Sequence, residues 1–280
     1  MTAVHAVRAE WLKLRKRPAV WIMILVLGLV VLLFGYLALY LFATQAPAEA
    51  TTGLDRVLVL TVLSPENLPG QVLSIAAGFG GALGLILGAL SMGNEFTWRT
   101  VKTITTQLPR RSTLLAGHAT GLVTVCTVMA LTAFAGGALG SYVVTLLEPI
   151  DAIIPALDDL ATAFGVTVLI IAMWCMIGMS LAMLFRGTGW AIGVGLLYTF
   201  ALEQLLTLLP LEGRASELLN EALIGNNTNA LVAWLSPETT GAFGGAGIDI
   251  DPLQAIAVLL AYLVVAVVIA TVVFARRDIA

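Results

Sequence analysis

The sequence predicts an all-α polytopic membrane protein with six transmembrane helices and both termini in the cytoplasm. Only 11% of its 280 residues are charged, against about 25% in soluble domains, and 59% are hydrophobic. Six apolar stretches are each long enough to cross a hydrocarbon core of roughly 30 Å at about 1.5 Å per helical residue. The basic residues are divided unevenly between the two ends of these stretches, and this division sets the orientation.

The first 18 residues predict a basic amphipathic helix that lies on the membrane surface. Apolar residues recur there at three- or four-residue spacing, at Val4, Val7, Trp11 and Leu14. The basic residues fall largely on other faces, which suits an anionic membrane surface with Trp11 at the level of the headgroups. The alternative is a charge cluster that only sets the topology, without a stable helix.

The six predicted spans are almost free of charge and are separated by polar or proline-containing segments. They lie at about residues 19–43, 72–92, 114–147, 161–185, 189–209 and 253–275. The first span is longer than the apolar core of a secretory signal peptide, so we expect it to be retained. Residues 54–63 are too short to cross, and we expect them to lie in the interface or to cover the mouth of the bundle.

Three glycines lie four residues apart in the second span, at Gly80, Gly84 and Gly88. This spacing places them on one helix face, where small residues allow two helices to approach closely in lipid. The face either packs against another helix of the same chain or contributes to a dimer interface.

The distribution of basic residues supports both the number of spans and their orientation. With the N-terminus inside, twelve of the fourteen Lys and Arg fall on the cytoplasmic side, and only Arg56 and Arg214 fall outside. Basic residues near span ends mark the cytoplasmic side. The residues 93–113 then form a basic cytoplasmic loop, and the residues 211–252 form an extracytoplasmic segment.

The sequence offers no catalytic or metal-binding constellation, so we do not expect this chain to be an enzyme. A phosphate-binding loop needs Lys directly after Gly, whereas the three lysines follow Leu, Arg and Val. His5 and His118 are the only histidines, which is too few for the common zinc motifs. Cys126 and Cys175 each lie inside an apolar run and are expected to be inert core residues. Nothing in the sequence suggests a nucleic-acid partner.

One ionisable residue lies within a predicted span, at Glu203 in the fifth span, followed by Gln204. A carboxylate inside the membrane is costly, so it is expected to face the bundle or a wet cavity. It either lines a substrate path that accepts cationic groups, or it is paired with a polar neighbour or reaches the outer interface.

The polar stretch from Gly93 to His118 is the long basic segment between two spans. Residues 97–106 are predicted to form a short helix along the cytoplasmic surface, which Pro109 ends. A charged element tied to two spans is suited to docking a cytoplasmic partner that exerts force. The alternative is an ordinary basic loop.

The chain resembles the permease subunits of type-2 ABC exporters. The pattern that carries the resemblance follows the second span, at Glu95-Phe96, Thr100-Val101, Lys102, Pro109, Arg111, Leu114-Leu115 and Gly117. Arg99 stands where the family usually has Gly, and His118 where it usually has Lys. The N-terminal residues also resemble the E-x-x-K-x-x-R helix of the family, at Glu10, Trp11, Lys13 and Arg15.

The resemblance implies a partner and a mechanism that composition does not show. Two cytoplasmic ATPase subunits would bind ATP and Mg, and this chain would pair with a second permease, identical or homologous. The coupling helix would contact the ATPase through Glu95, Phe96, Trp98, Arg99, Thr100 and Lys102. Short re-entrant helices before the last span would close the outer end, with 212–224 and 230–235 as the candidates.

We therefore expect a multi-pass permease of the cell membrane, of a bacterial type, that contacts membrane lipid. It would move an amphipathic or hydrophobic substrate outward, such as a drug, a lipid or an antimicrobial peptide. The alternatives are a secondary transporter that works without ATP, or a membrane anchor or assembly subunit of another complex. A secondary transporter usually shows internal repeats and broken helices, and no internal repeat is apparent.

Overall fold

The fold is a bundle of six long helices with short helices at its ends. The computed structural model describes residues 11–45, 56–97, 111–148, 153–207, 213–236 and 250–276. Within these ranges the regular secondary structure is helical throughout. Six helices are long and apolar enough to cross a membrane, at Pro18–Gln45, Pro65–Glu95, Leu115–Leu147, Leu157–Phe185, Thr188–Leu206 and Pro252–Phe274. The prediction of an all-helical protein with six spans is therefore confirmed.

In chain order we label the helices α1 to α10. The six spans belong to α2 (Pro18–Gln45), α4 (Pro65–Thr97), α5 (Arg111–Leu147), α6 (Leu157–Phe185), α7 (Thr188–Thr207) and α10 (Pro252–Arg276). The shorter helices are α1 (residues 11–16), α3 (Arg56–Val62), α8 (Arg214–Ala222) and α9 (Ile224–Leu235). The helix α4 begins earlier than the predicted span, because the prolines at its start occupy the first turns, where Pro is tolerated.

The fourth span, α6, lies at the centre of the bundle. It contacts α4, α5, α7 and α10, and about two thirds of the residues in its most apolar stretch are buried inside the chain. The second span, α4, is its most extensive neighbour.

The glycine face of α4 packs against α6 within the same chain. A Cβ added at Gly84 would lie 2.6 Å from the carbonyl oxygen of Ile171, and one added at Gly88 would overlap the carbonyl oxygen of Cys175. Gly178 on α6 faces the backbone of α4 at Leu85 in the same way. The two backbones are therefore in direct contact, as small residues allow. In this arrangement the face is used for intrachain packing.

The helices α2 and α4 each contain a widened π-helical segment, at Val31–Leu37 and Ala76–Gly80. The buried side chain of Gln71 donates a hydrogen bond from Nε2 to the carbonyl of Gly35, within the first of these segments, at 2.8 Å. This bond joins the first two spans within the bundle.

The helices that were predicted to be external differ from the prediction in one respect. The second of them, α9, begins at Ile224 and not near residue 230. Asn226 and Asn227 lie inside its first turns, where their amide groups donate to carbonyls of the preceding segment, at Asn220, Glu221 and Leu223. These local bonds satisfy the amide donors of both buried side chains.

Candidate functional site

The candidate site lies at the end of the bundle where α1, α4 and α5 meet. Glu95 closes the second span in the last turn of α4, and it is only 2% exposed. The predicted coupling residues that follow, Trp98, Arg99, Thr100 and Lys102, lie outside the described residues, as does Glu10. Phe96 continues the helix α4. The described part of the site is therefore the base from which the predicted coupling segment leaves.

Lys13 forms an ion pair with the Glu95 carboxylate, through Nζ and Oε1. These two residues are 82 positions apart in the sequence, so the pair joins the N-terminal helix to the end of the second span. The neighbouring Leu14 is 1% exposed and packs into the main apolar core. An apolar contact and a buried charge therefore hold α1 against the bundle together.

His118 completes the cluster from the first turns of α5. Its Nε2 lies 3.5 Å from the same oxygen of Glu95, and it is 3% exposed. A carboxylate removed from water needs polar or charged partners, because the cost of desolvation is several kcal/mol per ion by order of magnitude. Lys13 and His118 supply such partners from two different elements. We call these three residues the base cluster.

The sequence indicated the members of the base cluster but did not indicate that they meet. Lys13 and Glu95 were assigned to two separate motifs, and His118 was noted only as a departure from the family pattern. A signal was present, because Glu95 and His118 stand at the two ends of the same polar stretch. The position of α1 beneath them has no local sequence signal.

Glu203 lies at the other predicted site, in the last part of α7. It is 6% exposed, and one of its oxygens accepts a hydrogen bond from the backbone N–H of Gly225. Gly225 is in the first turn of α9, where backbone N–H groups are free and the helix dipole favours an anion. This geometry fits the alternative in which the Glu203 carboxylate is paired with a polar neighbour. A role for Glu203 and the exposed Gln204 in a substrate path stays a prediction.

An apolar groove of about 350 Å³ lies between α6, α7 and α10. Trp174 and Tyr198, whose ring centroids are 6.1 Å apart, line it together with Tyr262 and Ile224. Polar groups along its wall are the hydroxyls of Ser180 and the two tyrosines. Its surface suits a hydrophobic molecule.

No cluster of three or more His, Cys, Asp or Glu that could hold a metal occurs among the residues with described positions.

The six spans and the buried ionic base cluster define a polytopic membrane protein whose second and third spans are anchored to an N-terminal helix. Residues 5–279 match the family described as ABC-2 family transporter protein, and the chain belongs to that family. It is therefore a membrane component of an ABC transporter. The family of these membrane components is not itself catalytic. No curated protein matches the chain significantly.

Proposed function

We propose that this permease belongs to an exporter in which a separate cytoplasmic ATPase drives an amphipathic or hydrophobic substrate outward. The observation that carries the proposal is the base cluster. It ties α1, α4 and α5 together at the two points where the basic segment 98–110 leaves and re-enters the bundle.

The proposed mechanism uses the close packing of the second span. A force applied to the segment after Glu95 acts on the end of α4. The backbone of α4 touches that of α6 at Gly84 and Gly88, so there is no soft side-chain layer between the two helices. Interiors packed to this density transmit displacement instead of absorbing it. The motion of the ATPase would thus reach the central helix of the bundle.

The partners of this permease follow from its family and are part of the proposal. Two copies of the ATPase would bind ATP and Mg²⁺, while this chain would contribute Glu95 and Phe96, and the segment with Trp98, Arg99, Thr100 and Lys102, to the contact. A second permease, identical or homologous, would complete the transport path. The complex would reside in the cell membrane of a bacterium.

The apolar character of the groove and of the bundle supports a lipophilic cargo. The groove between α6, α7 and α10 offers three aromatic side chains and few polar atoms. A highly charged substrate would lose its hydration there without gaining partners. Drugs, lipids and antimicrobial peptides with an apolar surface meet this requirement.

The test is the ATPase activity of the complex purified after co-expression of the permease with a candidate ABC ATPase subunit. Glu95→Gln is compared with Glu148→Gln, because Glu148 is also an ion-paired carboxylate, bonded to Arg56 at 2.9 Å, at the far end of α5. We expect Glu95→Gln to lose most of the substrate stimulation and Glu148→Gln to retain it, at equal expression and equal complex size.

The same experiment includes a variant in the basic segment, with Glu95→Ala, Arg99→Ala and Lys102→Ala combined. Loss of ATPase binding or stimulation in this variant supports the coupling role. If no ATPase co-purifies with the wild type, or if the combined variant behaves as wild type, the proposal is wrong. A transporter independent of ATP or a membrane anchor would then be the better description.

A further inference from the structure

A second cavity lies at the elbow between the N-terminal helix and the first span, and no function has been given to it. Its volume is about 240 Å³, and α1, α2 and α5 each contribute to its wall. Trp11, Trp21, Ile24 and Val125 are among the residues that line it. Arg15 is the charged residue of the lining.

The geometry of the elbow is fixed independently of any ligand. The indole Nε1 of Trp21 donates a hydrogen bond to the backbone carbonyl of Arg15 at 2.8 Å. This bond holds the end of α1 beside the first turn of α2, which begins at Pro18. Lys13, on the same short helix, is held by Glu95. The cavity is therefore a built feature of the fold.

The cavity has the polarity expected of a site for part of one lipid chain below a charged headgroup. Its lining residues on α2 run from Val20 to Ile24, which corresponds to about 6 Å along the helix. Its walls are apolar, and the two tryptophans lie where aromatic side chains mark the membrane interface. Arg15 is an exposed residue of the lining, and no described carboxylate pairs with it.

We propose that this elbow cavity binds one anionic phospholipid of the leaflet that carries α1. One acyl chain would lie against Ile24 and Val125, and the phosphate would accept hydrogen bonds from the Arg15 guanidinium. The predicted orientation makes this the cytoplasmic leaflet, whose anionic lipids attract basic residues near the surface. The bound lipid would stabilise the position of α1 in which Lys13 contacts Glu95.

Charge complementarity and the apolar wall together select this occupant. A free phosphate would find one cation and otherwise hydrocarbon, whereas a phospholipid fills both parts of the cavity. A guanidinium binds a phosphate through two parallel hydrogen bonds, which an ammonium cannot do. The proposal needs only a membrane-embedded chain, so it is independent of the coupling to an ATPase.

The test uses the full chain reconstituted in vesicles of equal parts anionic and zwitterionic phospholipid. In one preparation the anionic lipid carries brominated acyl chains, and in the other the zwitterionic lipid does. Bromine quenches nearby indoles, and Trp11 and Trp21 line the cavity. The other four of the six tryptophans give a background that is common to all variants. We expect stronger quenching by the brominated anionic lipid.

Two variants on the same helix decide whether the preference belongs to the cavity. Arg15→Gln should lower the preference for anionic lipid more than about tenfold, because it removes the charge-assisted hydrogen bonds to the phosphate as well as one surface charge. Lys16→Gln removes the same charge from an exposed residue outside the lining, so it should lower the preference by about fivefold at most, which is the effect of one basic residue near a charged membrane surface. Equal losses in the two variants would show diffuse attraction to the surface and would overturn the proposal.

A steric pair of variants tests the acyl-chain part of the site. Val128→Phe adds bulk to a half-buried residue of the lining, and Val123→Phe adds it to an exposed residue of the same helix. The number of phospholipids retained per chain is counted by native mass spectrometry, for proteins of equal melting temperature. We expect Val128→Phe to retain one anionic lipid fewer than wild type and Val123→Phe to match it. Unchanged retention in Val128→Phe would contradict the proposal.

Discussion

Substitution of Gly84 by Ala tests how closely the second span packs against the fourth. The added Cβ would lie 2.6 Å from the carbonyl oxygen of Ile171, whereas ordinary contact begins at 3.4 Å. The obstacle is backbone and cannot rotate away, so α4 has to move by about 0.8 Å. A gap of about 0.5–1 Å removes a quarter to a half of the dispersion energy of the contacts it opens. Overpacking of this kind costs about 1–3 kcal/mol.

The control for this substitution is Gly165→Ala on α6, since nothing lies within 4 Å of a Cβ added there. Both variants gain about 1 kcal/mol of helix propensity when Gly becomes Ala. Because this gain is common to both variants, we expect Gly84→Ala to be less stable than Gly165→Ala by the overpacking cost, about 1–3 kcal/mol. The free energy of unfolding is measured by steric trapping in lipid bicelles. Equal stabilities would show that the glycine face does not pack on α6, and a dimer interface would become the better interpretation.

Three further predictions concern side chains at the two ends of the bundle. Lys13→Gln should destabilise the protein by about 2 kcal/mol, as measured by SDS titration. This is less than the cost of breaking a fully buried ion pair, because Lys13 is partly exposed and His118 remains beside the carboxylate. Wild-type stability in this variant would contradict the prediction. Glu203→Ala should raise the hydrogen-exchange rate of the Gly225 amide about fivefold, as expected for the loss of a helix cap worth about 1 kcal/mol. An unchanged rate would contradict the hydrogen bond between Gly225 and Glu203. Arg56→Gln should change the melting temperature little, because its ion pair is exposed and worth less than about 1 kcal/mol; a large loss would refute this.

The two buried carboxylates of the described chain are stabilised by different means. Glu95 is held by side chains from two other helices, so its environment depends on the positions of α1 and α5. Glu203 accepts its bond from the backbone at the start of α9, a donor that no substitution of a side chain removes. A side-chain cluster that spans three elements can be rearranged by motion, whereas a helix cap holds one loop in place. We propose the coupling role for Glu95, and not for Glu203, because of this difference.

The six spans could be predicted from the sequence because apolar length alone defines them. The positions of the bundle helices could not, since hydropathy says that a helix crosses the membrane but does not say which helix it touches. Gly84 and Gly88 predicted a close approach, but their partners on α6, Ile171 and Cys175, are defined only by the packing. The pair of Lys13 and Glu95 is likewise a product of the tertiary fold, because no local pattern connects residues 82 positions apart.

The measurement that tests the central claim most directly is a double-mutant cycle between Lys13 and Glu95. Substrate-stimulated ATPase activity is measured for the complex containing wild type, Lys13→Gln, Glu95→Gln and the double variant. If the ion pair couples the N-terminal helix to the second span, each single variant loses stimulation and the double variant is no worse than either. Additive losses, or full stimulation in all three variants, would contradict the account.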